Sequence, residues 1–114
     1  MTWRAVCLLD QLPVERGVCA LVDGHQVALF RTGDGELYAV DNRDPFSGAM
    51  VLSRGIVGCR DGQATVASPM YKHVFSLATG HCLDDAEVSV SVHPVRVRHG
   101  AVQVSLREET RQPA

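Results

Sequence analysis

No stretch of this chain approaches the roughly 20 consecutive apolar residues that a membrane-spanning helix needs, which excludes a helical membrane anchor. The opening residues MTWRAVCLLDQLPVERG lack a long apolar core followed by a small-residue cleavage site, and Asp10 interrupts their one apolar patch. No export signal is read there, so the expected compartment is the cytoplasm. In that compartment the four cysteines, Cys7, Cys19, Cys59 and Cys82, are expected to be reduced, buried thiols rather than a disulfide framework. None of them forms a CxxC pair, so the signature of a structural zinc site is missing too. The basic residues are scattered along a chain of net charge -2, without the basic stripe that nucleic-acid binding requires.

What is present is a chain of 114 residues, 46% hydrophobic and 21% charged, which suits one globular domain with a single core. Strand-like runs recur between turn signals: residues 3–7, 18–22, 27–31, 37–40, 64–67, 88–92, 95–98 and 101–106. Asp23-Gly24, Asp34-Gly35, Asp61-Gly62 and His99-Gly100 place glycine where a tight hairpin needs positive φ. The expected fold is therefore all-β, with mostly antiparallel neighbours in a sandwich or a barrel. Period-2 alternation is clearest near the end, where Val88, Val90 and Val92 alternate with serines, and Val102, Val104 and Leu106 with Gln103 and Ser105. One face of these strands should be buried and the other wet. Only residues 10–16 suit a helical turn, limited by Pro13. The expected domain is residues 1–106, followed by a polar, frayed tail over residues 107–114.

Two stretches break the alternation: Asp41 to Gly55, DNRDPFSGAMVLSRG, and Ser68 to Gly80, SPMYKHVFSLATG. Both mix proline and glycine with aromatic and polar residues, as loop excursions from a β scaffold do. Local function is expected there.

Those two stretches resemble the cluster-binding loops of Rieske domains, in which each loop supplies one cysteine and one histidine to a [2Fe-2S] cluster. The first such loop reads Cys-Pro-His-x-Gly, and this chain has Asp44-Pro45-Phe46-Ser47-Gly48 in that frame. The second reads Cys-Pro-x-His-Gly-x-x-Phe-Asp-x-x-Thr-Gly, matched here by Ser68-Pro69-Met70-Tyr71-Lys72-His73-Val74-Phe75-Ser76-Leu77-Ala78-Thr79-Gly80. Asp44 and Ser68 stand at the cysteine positions, Phe46 and Tyr71 at the histidine positions. A Rieske cluster needs two thiolates on one iron and two imidazoles on the other. Phenylalanine has no lone pair, and neutral alcohols and a carboxylate are poor substitutes for thiolates. No cluster, metal or other cofactor is therefore expected. Lys72 replaces the glycine after the second histidine position.

The resemblance is closer still to the small subunits of assimilatory NAD(P)H-dependent nitrite reductases, Rieske-like proteins without the cluster. It runs from the W-x-x-V-C opening through GVCALVDGHQVALFR, YAVDNRDPFSG and LSRGIVG to VHPVRV. It implies a non-catalytic subunit whose partner is a large subunit carrying flavin, iron-sulfur and sirohaem centres, which reduces nitrite to ammonia. It also implies a Rieske-like antiparallel β-sandwich whose two loops converge at one end as a docking surface, with Pro45, Phe46, Met70, Tyr71, Lys72 and His73 as partner-binding candidates. Phe46 and Tyr71 have a second reading, as packing that fills the vacated cluster space. Asp44 has one too, as an Asx turn before Pro45.

Two further functions compete. One is a Rieske-type [2Fe-2S] electron carrier with unusual ligands. Cys59, His73, His81 and Cys82 lie near the second loop for that purpose, but adjacent His81 and Cys82 would point to opposite faces of an extended chain. The other is an independent enzyme using Cys59 or Cys82 with a histidine base.

Overall fold

The computed structural model describes residues 2–107. Among them ten strands follow in order: β1 (Arg4–Leu8), β2 (Gly17–Val22), β3 (His25–Arg31), β4 (Leu37–Asp41), β5 (Ile56–Arg60), β6 (Gln63–Ala67), β7 (Val74–Ser76), β8 (Val92–His93), β9 (Val95–Arg98) and β10 (Ala101–Val104). They form three antiparallel sheets, ordered β2-β3-β4-β8, β1-β10-β9 and β5-β6-β7. The all-β antiparallel expectation holds.

Turn chemistry sets the registers. Asp23-Gly24, Asp61-Gly62 and His99-Gly100 each have positive φ at both residues, the requirement of a two-residue type I′ hairpin. They pair Val22 with His25, Arg60 with Gln63 and Arg98 with Ala101. Asp34-Gly35 differs, because only the glycine is left-handed and the loop closes through the Thr32 amide on the Glu36 carbonyl at 3.0 Å.

The single-core expectation is overturned. Val27, Ala28, Leu29 and Phe30 in β3 are all at most 1% exposed, although side chains alternate across a strand. Ala28, Phe30 and Val40 join one cluster with Val66, Phe75, Leu77 and Cys82. Val27, Leu29 and Ala39 join another with Leu12, Val22, Val102 and Val104. The β2-β3-β4-β8 sheet is thus covered on both faces, and its central strands are continuously apolar because neither face meets water. Each fully buried phenylalanine here contributes roughly 2–3 kcal/mol through burial.

Other expectations need correction. Residues 88–92 are not a strand: only Val92 enters β8, while Ser89 forms an isolated bridge with His81. Strand β5 was not expected, since four of its five residues are exposed and it lacks a buried face to leave a pattern. Cys19 and Cys59 are exposed and only Cys82 is buried, because β2 and β5 turn those side chains outward. Residues 9–11 rather than a longer segment form a 3-10 turn. The expected tail lies outside the described residues except for Arg107, whose amide donates to His93 Nδ1 at 3.2 Å.

Candidate functional site

The first loop, residues 42–55, leaves the end of β4. Its root is fixed by Asn42, which is 1% exposed. Asn42 Nδ2 donates to Gln26 Oε1 at 3.0 Å and to the Met50 carbonyl at 3.1 Å, while its Oδ1 accepts the Ser53 amide at 2.7 Å. The second loop, residues 68–73, joins β6 to β7. The remainder of the expected excursion is not irregular: residues 74–76 pair with β6, and the chain turns back at Gly80, whose φ is 81°. A Cβ there would lie 2.1 Å from the Val90 carbonyl oxygen, so only glycine fits.

The two loops meet through their former cysteine positions. Asp44 and Ser68 are both buried, at 0% and 1% exposure, and the Ser68 hydroxyl donates to Asp44 Oδ2 at 2.5 Å. Asp44 Oδ1 accepts the Phe46 amide at 2.8 Å, the Asx turn across Pro45. Its backbone closes the loop on itself, donating to the Ala49 carbonyl and accepting from the Gly48 amide. Burial pushes the Asp44 carboxyl pKa up, but the hydrogen bonds from Ser68, Phe46 and Ser47 outweigh it and hold the value below that of an ordinary aspartate. The second loop closes likewise, with the Ser68 amide on the His73 carbonyl and the Lys72 amide on the Ser68 carbonyl, both 2.9 Å.

The former histidine positions diverge. Phe46 is half-buried against the core cluster of β3, β6 and β7 and stacks face to face on His73, with centroids 3.6 Å apart and planes at 11°. Its ring also lies 6.2 Å from that of Phe75. His73 Nδ1 is buried beneath this stack without a hydrogen-bond partner. Tyr71 touches His73 only edge-on, at 6.4 Å, and is 62% exposed. Met70 beside it is 47% exposed, and Pro69 and Lys72 are exposed as well, whereas Pro45 is half-buried. Lys72 adopts φ 63°, so the turn keeps its left-handed geometry with a lysine in it.

These residues do not fit a [2Fe-2S] cluster. The carboxylate and hydroxyl at the thiolate positions are bonded to each other, and a phenyl ring stacked on His73 stands at one imidazole position. Cys59 lies on exposed β5 and Cys82 in the core, outside both loops. Among the described residues neither thiol hydrogen-bonds a histidine, so the Cys-His pair of an independent enzyme is not assembled.

Nothing in the sequence pattern singles out a second polar cluster, because strand pairing alone assembles it. His25 opens β3, Asp41 ends β4 and His93 lies in β8. Both Nε2 atoms meet Asp41 Oδ1, His25 at 2.9 Å and His93 at 2.7 Å. Their ligating atoms lie within 4.8 Å of one another, a spacing that a metal ion can use. However, His93 Nδ1 accepts the Arg107 amide, which places the ring proton on Nε2, where it donates to Asp41 rather than offering a lone pair. Burial raises the Asp41 pKa, and the hydrogen bonds from His93 and His25 outweigh it and lower the value. The cluster thus braces the strand end from which the first loop departs.

Residues 2–105 match the family described as the Rieske-like [2Fe-2S] domain. The NADH nitrite reductase small subunit of Escherichia coli strain K12 is 41% identical over 103 residues, covering 90% of this chain and 95% of the relative. A Klebsiella oxytoca NAD(P)H nitrite reductase large subunit is 44% identical over 102 residues, 90% of this chain but only 11% of the relative. A crystal structure from Mycobacterium tuberculosis, assigned as the small subunit of an NADH-dependent nitrite reductase, is 55% identical with a TM-score of 0.87. The match covers 90% of this chain and 93% of that one.

Proposed function

The chain belongs to the Rieske-like [2Fe-2S] domain family, alongside nitrite reductase small subunits, and we infer from that membership that it is the non-catalytic small subunit of an NAD(P)H-dependent nitrite reductase. Its partner is the large subunit, which carries the flavin, iron-sulfur and sirohaem centres, and the complex reduces nitrite to ammonia for nitrogen assimilation in the cytoplasm. The observation that carries the pairing is the Klebsiella oxytoca relative, in which a segment like this chain is part of the large-subunit polypeptide itself. Two domains joined in one polypeptide are held in one assembly.

The chain's own chemistry agrees with a supporting role. Reducing nitrite requires successive electron transfers, which in enzymes are carried by cofactors. Three of the residues at the four ligand positions are committed within the chain, Asp44 and Ser68 to a hydrogen bond with each other and Phe46 to the stack on His73. Docking is assigned to the exposed tip of the second loop, Met70, Tyr71 and Lys72, with Pro45, Phe46 and His73 supporting it from below. Exposed aromatic and methionine side chains on a braced loop are suited to anchoring a partner.

The test is to immobilise the purified chain, pass the large subunit over it and assay iron in the unbound chain. Retention of the large subunit, with no stoichiometric iron in the small one, is the expected result. About two iron atoms and two sulfides per chain would instead favour the Rieske electron carrier with unusual ligands. Failure to retain the large subunit would remove the subunit assignment.

A further inference from the structure

We propose that Lys72 recognises a carboxylate-bearing surface on the large subunit; this rests on the docking assignment above and adds the chemistry of the partner's face. The first observation is a partition of charge. Within residues 42–55 and 68–80 the basic residues are Arg43, Arg54 and Lys72, and the one acidic residue is Asp44. Asp44 is 0% exposed and bonded to Ser68 and the Phe46 amide, so its charge is not displayed. Arg43, Arg54 and Lys72 are all exposed. A chain of net charge -2 therefore presents only positive side chains on these loops.

The second observation concerns Lys72 itself. It is the sole lysine of the chain. It sits at φ 63°, a left-handed conformation that glycine adopts freely and that among other residues is mostly taken by Asn, Asp and His. The turn needs only the backbone: the Lys72 amide bonds the Ser68 carbonyl, as a glycine amide would. The ammonium has no ion pair among the described residues. Local structure thus favours glycine here, and among the described residues the side chain makes no ion pair that would account for it. Strain retained without a structural return points to function outside the molecule.

A lysine beside exposed Met70 and Tyr71 forms a cationic rim around an apolar contact. The complementary surface is an apolar patch bordered by aspartate or glutamate. Such rim charges act mainly by steering association and are sensitive to salt.

Lys72→Gly separates the roles, because it keeps the turn and deletes the charge. The variant is expected to unfold at the same or a higher temperature than the parent. Its affinity for the purified large subunit is expected to fall about tenfold at about 0.05 M salt and to lie within about twofold of the parent at about 0.5 M, where the Debye length is only a few ångströms. A carbodiimide, which joins an amine to a carboxylate with loss of water, should cross-link the parent complex through Lys72. Tyr71→Ala and Arg98→Ala run alongside. Parent-like binding by Lys72→Gly at low salt, or an equal loss at both salts, overturns the proposal. So does an equal loss with Arg98→Ala, which would reflect net charge alone. If Tyr71→Ala loses affinity while Lys72→Gly does not, the acidic face is wrong and the docking loop stands. If both bind like the parent, the docking assignment itself fails.

Discussion

The two loops have an inner half and an outer half that obey different rules. Asp44, Ser68, Phe46 and His73 face inward, bonded or stacked at short distances; the side chains of Met70, Tyr71 and Lys72 are exposed. Both halves occupy one short frame, and Phe46 and Tyr71 stand at equivalent histidine positions of the two loops. One ring packs against the core and His73, and the other remains on display. The four positions thus divide into a packed plug and a presented surface. Substitutions in the inner half should cost stability, and those in the outer half should cost binding.

The largest effect is expected at the junction of the loops. Asp44→Ala leaves the buried Ser68 hydroxyl and the partly buried Phe46 amide without their acceptor, and unsatisfied groups of this kind cost about 3 kcal/mol together. Denaturant unfolding of the variant measures it. The same carboxylate has a pH signature. Its folded pKa lies below the ordinary value of 3.8, so its contribution is present in full above that value and is lost as pH falls below it. Asp44→Asn should therefore lose less stability than the parent between neutral and strongly acidic pH. Parallel acid profiles for the two would mean that the charge at Asp44 does not hold the loops.

Phe46→Ala comes next. The ring is half-buried, so its removal should cost about 2 kcal/mol, less than the roughly 3–5 kcal/mol of a fully buried phenylalanine. The stack on His73 would open and expose Nδ1 to water, which offsets part of the loss. A Phe46→Ala variant as stable as the parent, yet defective in binding, would move this ring to the outer half and break the division.

How legible this was depends on which interaction carried each feature. Hairpins at Asp23-Gly24, Asp61-Gly62 and His99-Gly100 were readable because positive φ is a local demand that glycine advertises. The loop frame was readable because Pro45, Gly48, Pro69 and Gly80 are backbone requirements that outlast the ligands. Three features were not. The apolar run Val27–Phe30 reads as one strand, but only the coverage of both sheet faces shows that it feeds two cores. Strand β5 has no alternation because it lies at a sheet edge with four exposed residues. The cluster of His25, Asp41 and His93 spans residues as much as 52 positions apart and exists only once β3, β4 and β8 are in register.

The smallest effect on the fold is expected at Tyr71, and it bears most directly on function. At 62% exposure the side chain loses little on truncation, so Tyr71→Ala should shift stability by less than about 0.5 kcal/mol, the usual range for surface positions. Its contact with His73 is a single edge approach at 6.4 Å, while the closer Phe46 stack remains. Weakened binding therefore cannot be blamed on a damaged fold, which is what Phe46→Ala leaves ambiguous. A desolvated aromatic anchor commonly loses about 2 kcal/mol on truncation, so affinity for the large subunit should fall roughly 30-fold. Isothermal titration against the large subunit, paired with thermal unfolding of the free variant, reads both quantities. Unchanged stability with lost affinity places the anchor at the loop tip. Unchanged stability with parent-like affinity would place the interface on another face of the domain, and the outer half of the loops would then be exposed without purpose.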